Sequence, residues 1–145
     1  ERLSSRVLFR EHYLLVARKR HPALRRKLTL DRFCALEYIV VSPDGGGFRG
    51  PTDIALESRA RKRRVVLSVP HFLLVPEIIR RTDLVAMLPS RLVRDRTDEL
   101  QIVMPPLQIP TYEMAMIWHE RSERDPAHAW LREQIVSAVE VAGVK

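Results

Sequence analysis

The apolar positions of this chain fall in short blocks whose spacing changes from block to block. Val7 to Phe9 and Tyr13 to Ala17 are runs rich in β-forming residues and predict two short strands. His21-Pro22 breaks the second, because proline disfavours helix in the residue before it. Thr29-Leu30-Asp31 can cap a short helix through Leu36. Tyr38 to Val41 is continuously apolar, the pattern of a strand covered on both faces. Ser42 to Gly50 reads as a flexible loop, and Pro51-Thr52 opens a helix through about Ser58, where proline's missing N–H has no intrahelical partner to lose.

Ser68 to Val93 is the most informative stretch. Val65 to Val69 predicts a strand, followed by a helix to about Arg81 with Pro76 in its first turn. Leu84 to Leu88 is a further strand, and Pro89-Ser90 starts a short helix through Arg94. No catalytic grouping interrupts this strand-helix-strand-helix order, which reads as one wall of a two-lobed small-molecule sensor. Leu100 to Met104 is extended, Pro105-Pro106 forces an irregular crossing, and Glu113 to Trp118 is a strand. Asp125-Pro126 then caps a helix in which Ala127, Trp130, Leu131, Ile135, Ala138, Val139 and Ala142 recur at helical spacing before Gly143 closes it. Alternating strands and helices predict an α/β fold with a largely parallel sheet. Ligands of such sheets sit beyond the carboxyl ends of the strands, which singles out Ser42 to Gly47, Val69 to Phe72, and Leu88 to Ser90.

Composition adjusts this picture in three ways. A chain of 145 residues with 46% hydrophobic residues can pack one domain-sized core. No apolar run approaches the roughly 18 residues that suggest a membrane span, and Glu1 to Tyr13 has no apolar signal-peptide core. Glu1 in place of a starting Met reads as a cut or processed end of a longer protein. A single cysteine, Cys34, excludes an intrachain disulfide and fits a cytoplasmic setting. The net charge of +7 concentrates in Arg18 to Arg20, Arg25 to Lys27 and Arg59 to Arg64. A solvated surface is the favoured reading over a nucleic-acid footprint, because few aromatics interleave with the charge and no helix-turn-helix pattern is visible.

Little in the chain assembles into reaction chemistry. Gly45-Gly46-Gly47 precedes a helix and could cradle an anion, yet the pattern matches neither a P-loop nor a dinucleotide fingerprint. A plain flexible loop is the better reading, with a carboxylate contact as the weaker alternative. His12, His21, His71, His119 and His128 lack metal-ligand spacing, so neither a metal nor a cofactor is expected. Cys34 sits in an apolar helical stretch, where cysteine behaves as a small buried hydrophobe. Trp130 reads as core or helix-on-sheet packing, and Trp118 as core in preference to a cleft wall. His71, at a strand-to-helix turn between Pro70 and Phe72, can donate to a ligand carbonyl or carboxylate while Phe72 stacks on a ring. A surface or capping histidine is the equal alternative.

Five segments in order resemble a known family. Tyr13 to Pro22, Leu36 to Ser42, Arg64 to Phe72, Thr82 to Pro89 and Trp118 to Leu131 resemble the effector-binding domain of LysR-type transcriptional regulators, in the branch of the nodulation and naphthalene/salicylate regulators. The resemblance runs through nearly the whole chain. It implies a fold like type 2 periplasmic binding proteins, with largely parallel sheets in two lobes and the first lobe incomplete here. Residues 1–22 would be lobe one and the crossing, 23–104 the second lobe, and 105–145 the return to lobe one. The family's N-terminal winged helix-turn-helix is absent from this sequence. The function implied is ligand sensing and oligomerisation, not catalysis. A small aromatic effector would bind between lobes, with Ser42, His71 and Phe72 as contacts. It would shift a homodimer or homotetramer that touches DNA only through the absent domain. A transporter's solute-binding protein and a basic nucleic-acid-binding domain remain as alternatives.

Overall fold

The computed structural model describes residues 2–143. The chain divides into two compact units, one of residues 12–110 and one of residues 1–11 with 111–145.

The larger unit is built on a five-stranded mixed sheet. Its strands are β2 (Tyr13–Arg18), β3 (Glu37–Val41), β4 (Arg64–Val69), β5 (Val85–Pro89) and β6 (Leu100–Val103), in the spatial order β4-β3-β5-β2-β6. β3 runs parallel to both β4 and β5, whereas β2 runs antiparallel to β5 and β6. The α/β expectation therefore holds, and parallel pairing is confined to β3, β4 and β5. The reason is connectivity. β3, β4 and β5 are joined by helical crossovers, α2 (Pro51–Glu57) and α3 (Val75–Arg80), as parallel neighbours require. β2 enters the sheet from the other direction.

Side-chain alternation sends two cores to opposite faces. Leu15 and Ala17 of β2, Tyr38 of β3 and Val85 and Met87 of β5 join Phe33 of α1 (Leu30–Cys34) and Leu56 of α2 in one cluster. Val16, Ile39, Ala86 and Leu88 join Val75 and Ile79 of α3 and Val93 of α4 (Ser90–Val93) in the other. Both faces are covered, which is why Tyr38 to Val41 carries no polar position. Cys34 packs against the first cluster as a partly buried free thiol, in keeping with its apolar setting.

Local chemistry sets the ends of the elements. Thr29 caps α1 by accepting from the Arg32 N–H. His21 is buried, accepting from the Ala23 N–H through Nδ1 while Nε2 lies 2.9 Å from the Asp83 carbonyl. Those two partners require an Nε2–H tautomer and fasten the turn after β2 to the segment entering β5. Asp53 in the first turn of α2 accepts from the Gly50 N–H and, through both oxygens, from Arg63 at 2.9 and 2.8 Å. The Arg63 side chain is 2% exposed and lies 4.6 Å over the Tyr38 ring. Burial pushes the Asp53 carboxyl up, but the Arg63 and Gly50 bonds outweigh it and leave the group below its ordinary range. Burial raises the Tyr38 phenol, which donates to the Phe33 carbonyl at 2.8 Å.

The smaller unit is a two-stranded antiparallel ribbon, β1 (Leu3–Glu11) with β7 (Tyr112–His119), and α5 (Pro126–Val141). Asp125 caps α5 by accepting from the N–H groups of Ala127 and His128. Arg6 of β1 reaches Glu133 of α5 at 3.2 Å. Two aromatic expectations are corrected here. Trp130 is not core: it is 64% exposed, because the half-buried face of α5 is Ala129, Arg132, Ile135, Val136 and Val139. The periodic residues Ala127, Leu131, Ala138 and Ala142 are likewise exposed; a ribbon and one helix cover only a narrow stripe. Trp118 is half-buried beneath the Arg132 guanidinium, 4.8 Å from its ring, and donates to Glu123. It is held by a cation and a carboxylate, not by an apolar core.

The buried Arg63–Asp53 pair yields a direct test. Asp53→Asn leaves the guanidinium charge uncompensated and is expected to cost about 3 kcal/mol in urea unfolding. A second change, Arg63→Met, restores much of that loss, because an apolar replacement removes the stranded charge. Asp53 has a folded-state pKa below its unfolded value, so its contribution is present above the ordinary value of 3.8 and is lost as pH falls beneath it. The acid limb of the wild-type melting profile should therefore flatten in the double variant.

Candidate functional site

One end of the five-stranded sheet gathers the strand termini that the sequence singled out. β3, β4 and β5 all finish there, and β2 begins there, since Tyr13 is the register partner of Pro89. Ser42 follows β3 directly. Its N–H donates to the Val69 carbonyl at 2.9 Å, which holds it beside the Pro70-His71-Phe72 turn after β4. The loop from Ser42 to Gly50 is more ordered than its composition suggests. The Ser42 hydroxyl accepts from the Gly47 N–H at 3.1 Å, and the Ser68 hydroxyl donates to the Gly47 carbonyl at 2.7 Å. A Cβ at Gly47 would lie 3.0 Å from Ser42 Oγ, so a larger residue there would have to displace the serine hydroxyl.

The three sequence candidates share this end but have different surroundings. Phe72 packs on the second core cluster and lines a cavity of about 40 Å³ with Tyr13, Val40, Thr52, Arg63 and Met87. His71 is exposed, and its side chain makes no bond to the helical turn after it. Ser42 is half-buried with its hydroxyl engaged by Gly47. Neither Ser42 nor His71 lines the two cavities at this end. The 40 Å³ space holds water-sized groups and no ring.

A larger hollow, of about 420 Å³, lies beside it and shares Tyr13 as a wall. His12, Arg59, Met104, Leu107, Gln108 and Ile109 are among its other lining residues. Its size and its mixture of apolar wall, imidazole and guanidinium suit a drug-sized ring carrying an acidic or hydroxyl group. Sequence reasoning missed these residues. Pro105-Pro106 marked the segment as irregular, but no periodicity in the chain says that it folds back across Tyr13. Among the described residues no group of His, Cys, Asp and Glu is arranged to hold a metal ion. No helix of the described residues is long and apolar enough to cross a membrane.

A mixed sheet with helices on both faces and a cavity at its strand ends is the arrangement in which open α/β sheets take their ligands. Residues 1–140 match the LysR substrate binding domain, and the chain belongs to that family. It is 36% identical over 130 residues to the HTH-type transcriptional activator NahR of Pseudomonas putida, covering 88% of this chain and 43% of that protein. It is 32% identical over 133 residues to nodulation protein D 3 of Rhizobium leguminosarum bv. phaseoli, covering 89% and 43%. These similarities set it in the naphthalene/salicylate and nodulation branch. The regulatory domain of MexT, a transcriptional activator in Pseudomonas aeruginosa, superposes with a TM-score of 0.77 at 29% identity, covering 93% of this chain and 67% of that one. The chain spans less than half the length of the curated relatives it matches.

Ser42→Ala tests how the loop is held. Loss of the hydroxyl frees the Gly47 N–H, and amide exchange at Gly47 is expected to quicken about fivefold, the equivalent of ~1 kcal/mol. Unchanged exchange would show that the loop's other contacts, among them the Ser68 hydroxyl on the Gly47 carbonyl, order it without Ser42.

Proposed function

We propose that this chain is the effector-sensing part of a LysR-type transcriptional regulator, and that its effector is a small aromatic acid or phenol. The carrying observation is the 420 Å³ hollow at the sheet end, with Tyr13 and Leu107 as apolar wall and Arg59 and His12 as polar groups. A ring would lie against the wall with its acidic group toward Arg59. Ser42, His71 and Phe72 do not line the hollow, so a hydrogen bond from His71, ring support from Phe72 and a hydroxyl contact from Ser42 would require the effector to extend beyond it along the strand ends. Residues 12–110 would be one lobe of the bilobal fold, and the smaller unit would be part of the other. Effector binding would bias one arrangement of a dimer or tetramer over another, and so the DNA-binding heads carried elsewhere in the protein. The relatives that support this reading include a transcriptional activator and a transcriptional regulator.

A thermal-shift screen of hydroxybenzoic acids and flavonoids against the full-length protein is the first measurement. A ligand at one hundred times its Kd adds about 2.7 kcal/mol and raises Tm. With a ligand in hand, Arg59→Gln and His71→Ala should each weaken affinity about tenfold, roughly one charge-assisted hydrogen bond apiece. Unaltered affinity in His71→Ala removes that residue from the site; unaltered affinity in Arg59→Gln moves the effector out of the hollow.

A further inference from the structure

The net positive charge of this chain is all on one unit. Residues 12–110 carry 18 Lys+Arg against 10 Asp+Glu, a net +8, while the remaining residues carry 7 against 8, a net −1. Within the larger unit the charge is again one-sided. Arg18 ends β2 at the level where β3 and β4 begin, because Val16 and Ile39 both pair with Ala86 and Glu37 pairs with Arg64. Arg18 to Arg20, Arg25 to Lys27 and Arg61 to Arg64 therefore meet at the end of the sheet opposite Ser42, some five strand residues or about 16 Å away, while Arg59 lines the hollow beside Tyr13.

Specific bonds draw the runs together. Arg61 pairs with Asp31 of α1, which sets the Arg61 to Arg64 segment beside that helix. Arg32, also of α1, donates to the Lys27 carbonyl at 2.7 Å and to the Ala23 carbonyl, folding Arg25 to Lys27 over the same end. Arg18 binds Asp83 at 2.7 Å and the Lys19 and Arg20 carbonyls, fixing the turn after β2. The acidic groups nearby are thus occupied by Arg18, Arg61 and Arg64. Lys19, Arg20, Arg25, Arg26, Lys27 and Lys62 are exposed, with no acidic partner among the described residues. Pro22, Arg25, Arg26 and Arg32 also line an open hollow of about 440 Å³.

We infer that this far end is a binding surface for the phosphate backbone of double-stranded DNA, separate from the effector site. Its occupant is a polyanion and not an acidic protein, because no large apolar side chain is exposed between residues 18 and 32 or between 58 and 65. A protein interface needs aromatic or aliphatic anchors at its centre. Backbone binding needs only cations that displace counterions, and it reads no bases. The surface thus adds affinity without sequence preference, in contrast to the expectation that DNA is touched only through residues outside this chain.

The test is fluorescence anisotropy of a random-sequence duplex titrated with the full-length protein across a range of salt. Neutralising two of the cations, R25Q with R26Q, should flatten the plot of log affinity against log salt by about 1.8, from ~0.9 per phosphate contact. R121Q with R124Q removes the same charge from exposed positions of the other unit and should leave the slope unchanged. K19Q with K62Q repeats the test should the first variant lose its native melting profile. Equal slopes in all variants overturn the proposal, as does an equal effect of the control pair, which would make the effect one of net charge alone. Loss of binding to an acidic protein with the DNA slope intact would also overturn it and assign the surface to a protein partner.

Discussion

A buried guanidinium ties the start of α2 to the sheet of the larger unit. Arg63 enters from the start of β4, passes beneath Tyr38 of β3, and closes a bidentate bond on Asp53 at the start of α2. A charge taken out of water is expensive, and its partner must compensate with good geometry. Here one Asp53 oxygen also accepts from Gly50, so the carboxylate that neutralises Arg63 simultaneously fixes the end of the Ser42 to Gly50 loop. Among the described residues the buried Arg63 Nη1 has no hydrogen-bond partner, and the Tyr38 ring face, 4.6 Å from the guanidinium carbon, is the cation's second contact after Asp53. The arrangement locks helix, loop and two strands into one register.

The sheet has two chemically different ends. At one, strand termini, a glycine-tightened loop and the hollow beside Tyr13 leave room for a ligand. At the other, crossover turns crowd with lysine and arginine. The separation comes from parallel pairing. β3, β4 and β5 share a direction, so the segments leaving them collect at one end, and the segments entering β3 and β4 collect at the other. The smaller unit obeys different rules. Its helix stands on a two-stranded ribbon, and polar devices such as Arg132 over Trp118 take the place of a deep core.

The order of strands and helices was readable because each element has its own punctuation. Thr29, Pro51, Pro76 and Asp125 all sit at the helix starts where their chemistry places them. Tyr38 to Val41 was readable as doubly covered from its lack of polar residues. Trp130 misled because helical periodicity reports that an apolar stripe exists, not which part of it finds a partner; here the stripe is wider than the ribbon beneath it. The hollow at His12, Tyr13, Arg59 and Met104 to Ile109 left no local trace, since it joins residues distant in the chain.

By itself the sequence determined what is local: element type, caps, turns, the α/β class, and the strand ends at Ser42 and Pro70 to Phe72. Only tertiary structure decided that β2 runs against the other four strands, and that Asp53 neutralises Arg63. It also decided that three separate basic runs share one end of the sheet. The physical reason is range. Periodicity and capping act over a few residues, whereas strand direction and ion pairing are settled by which distant segments can bury their surfaces and charges together.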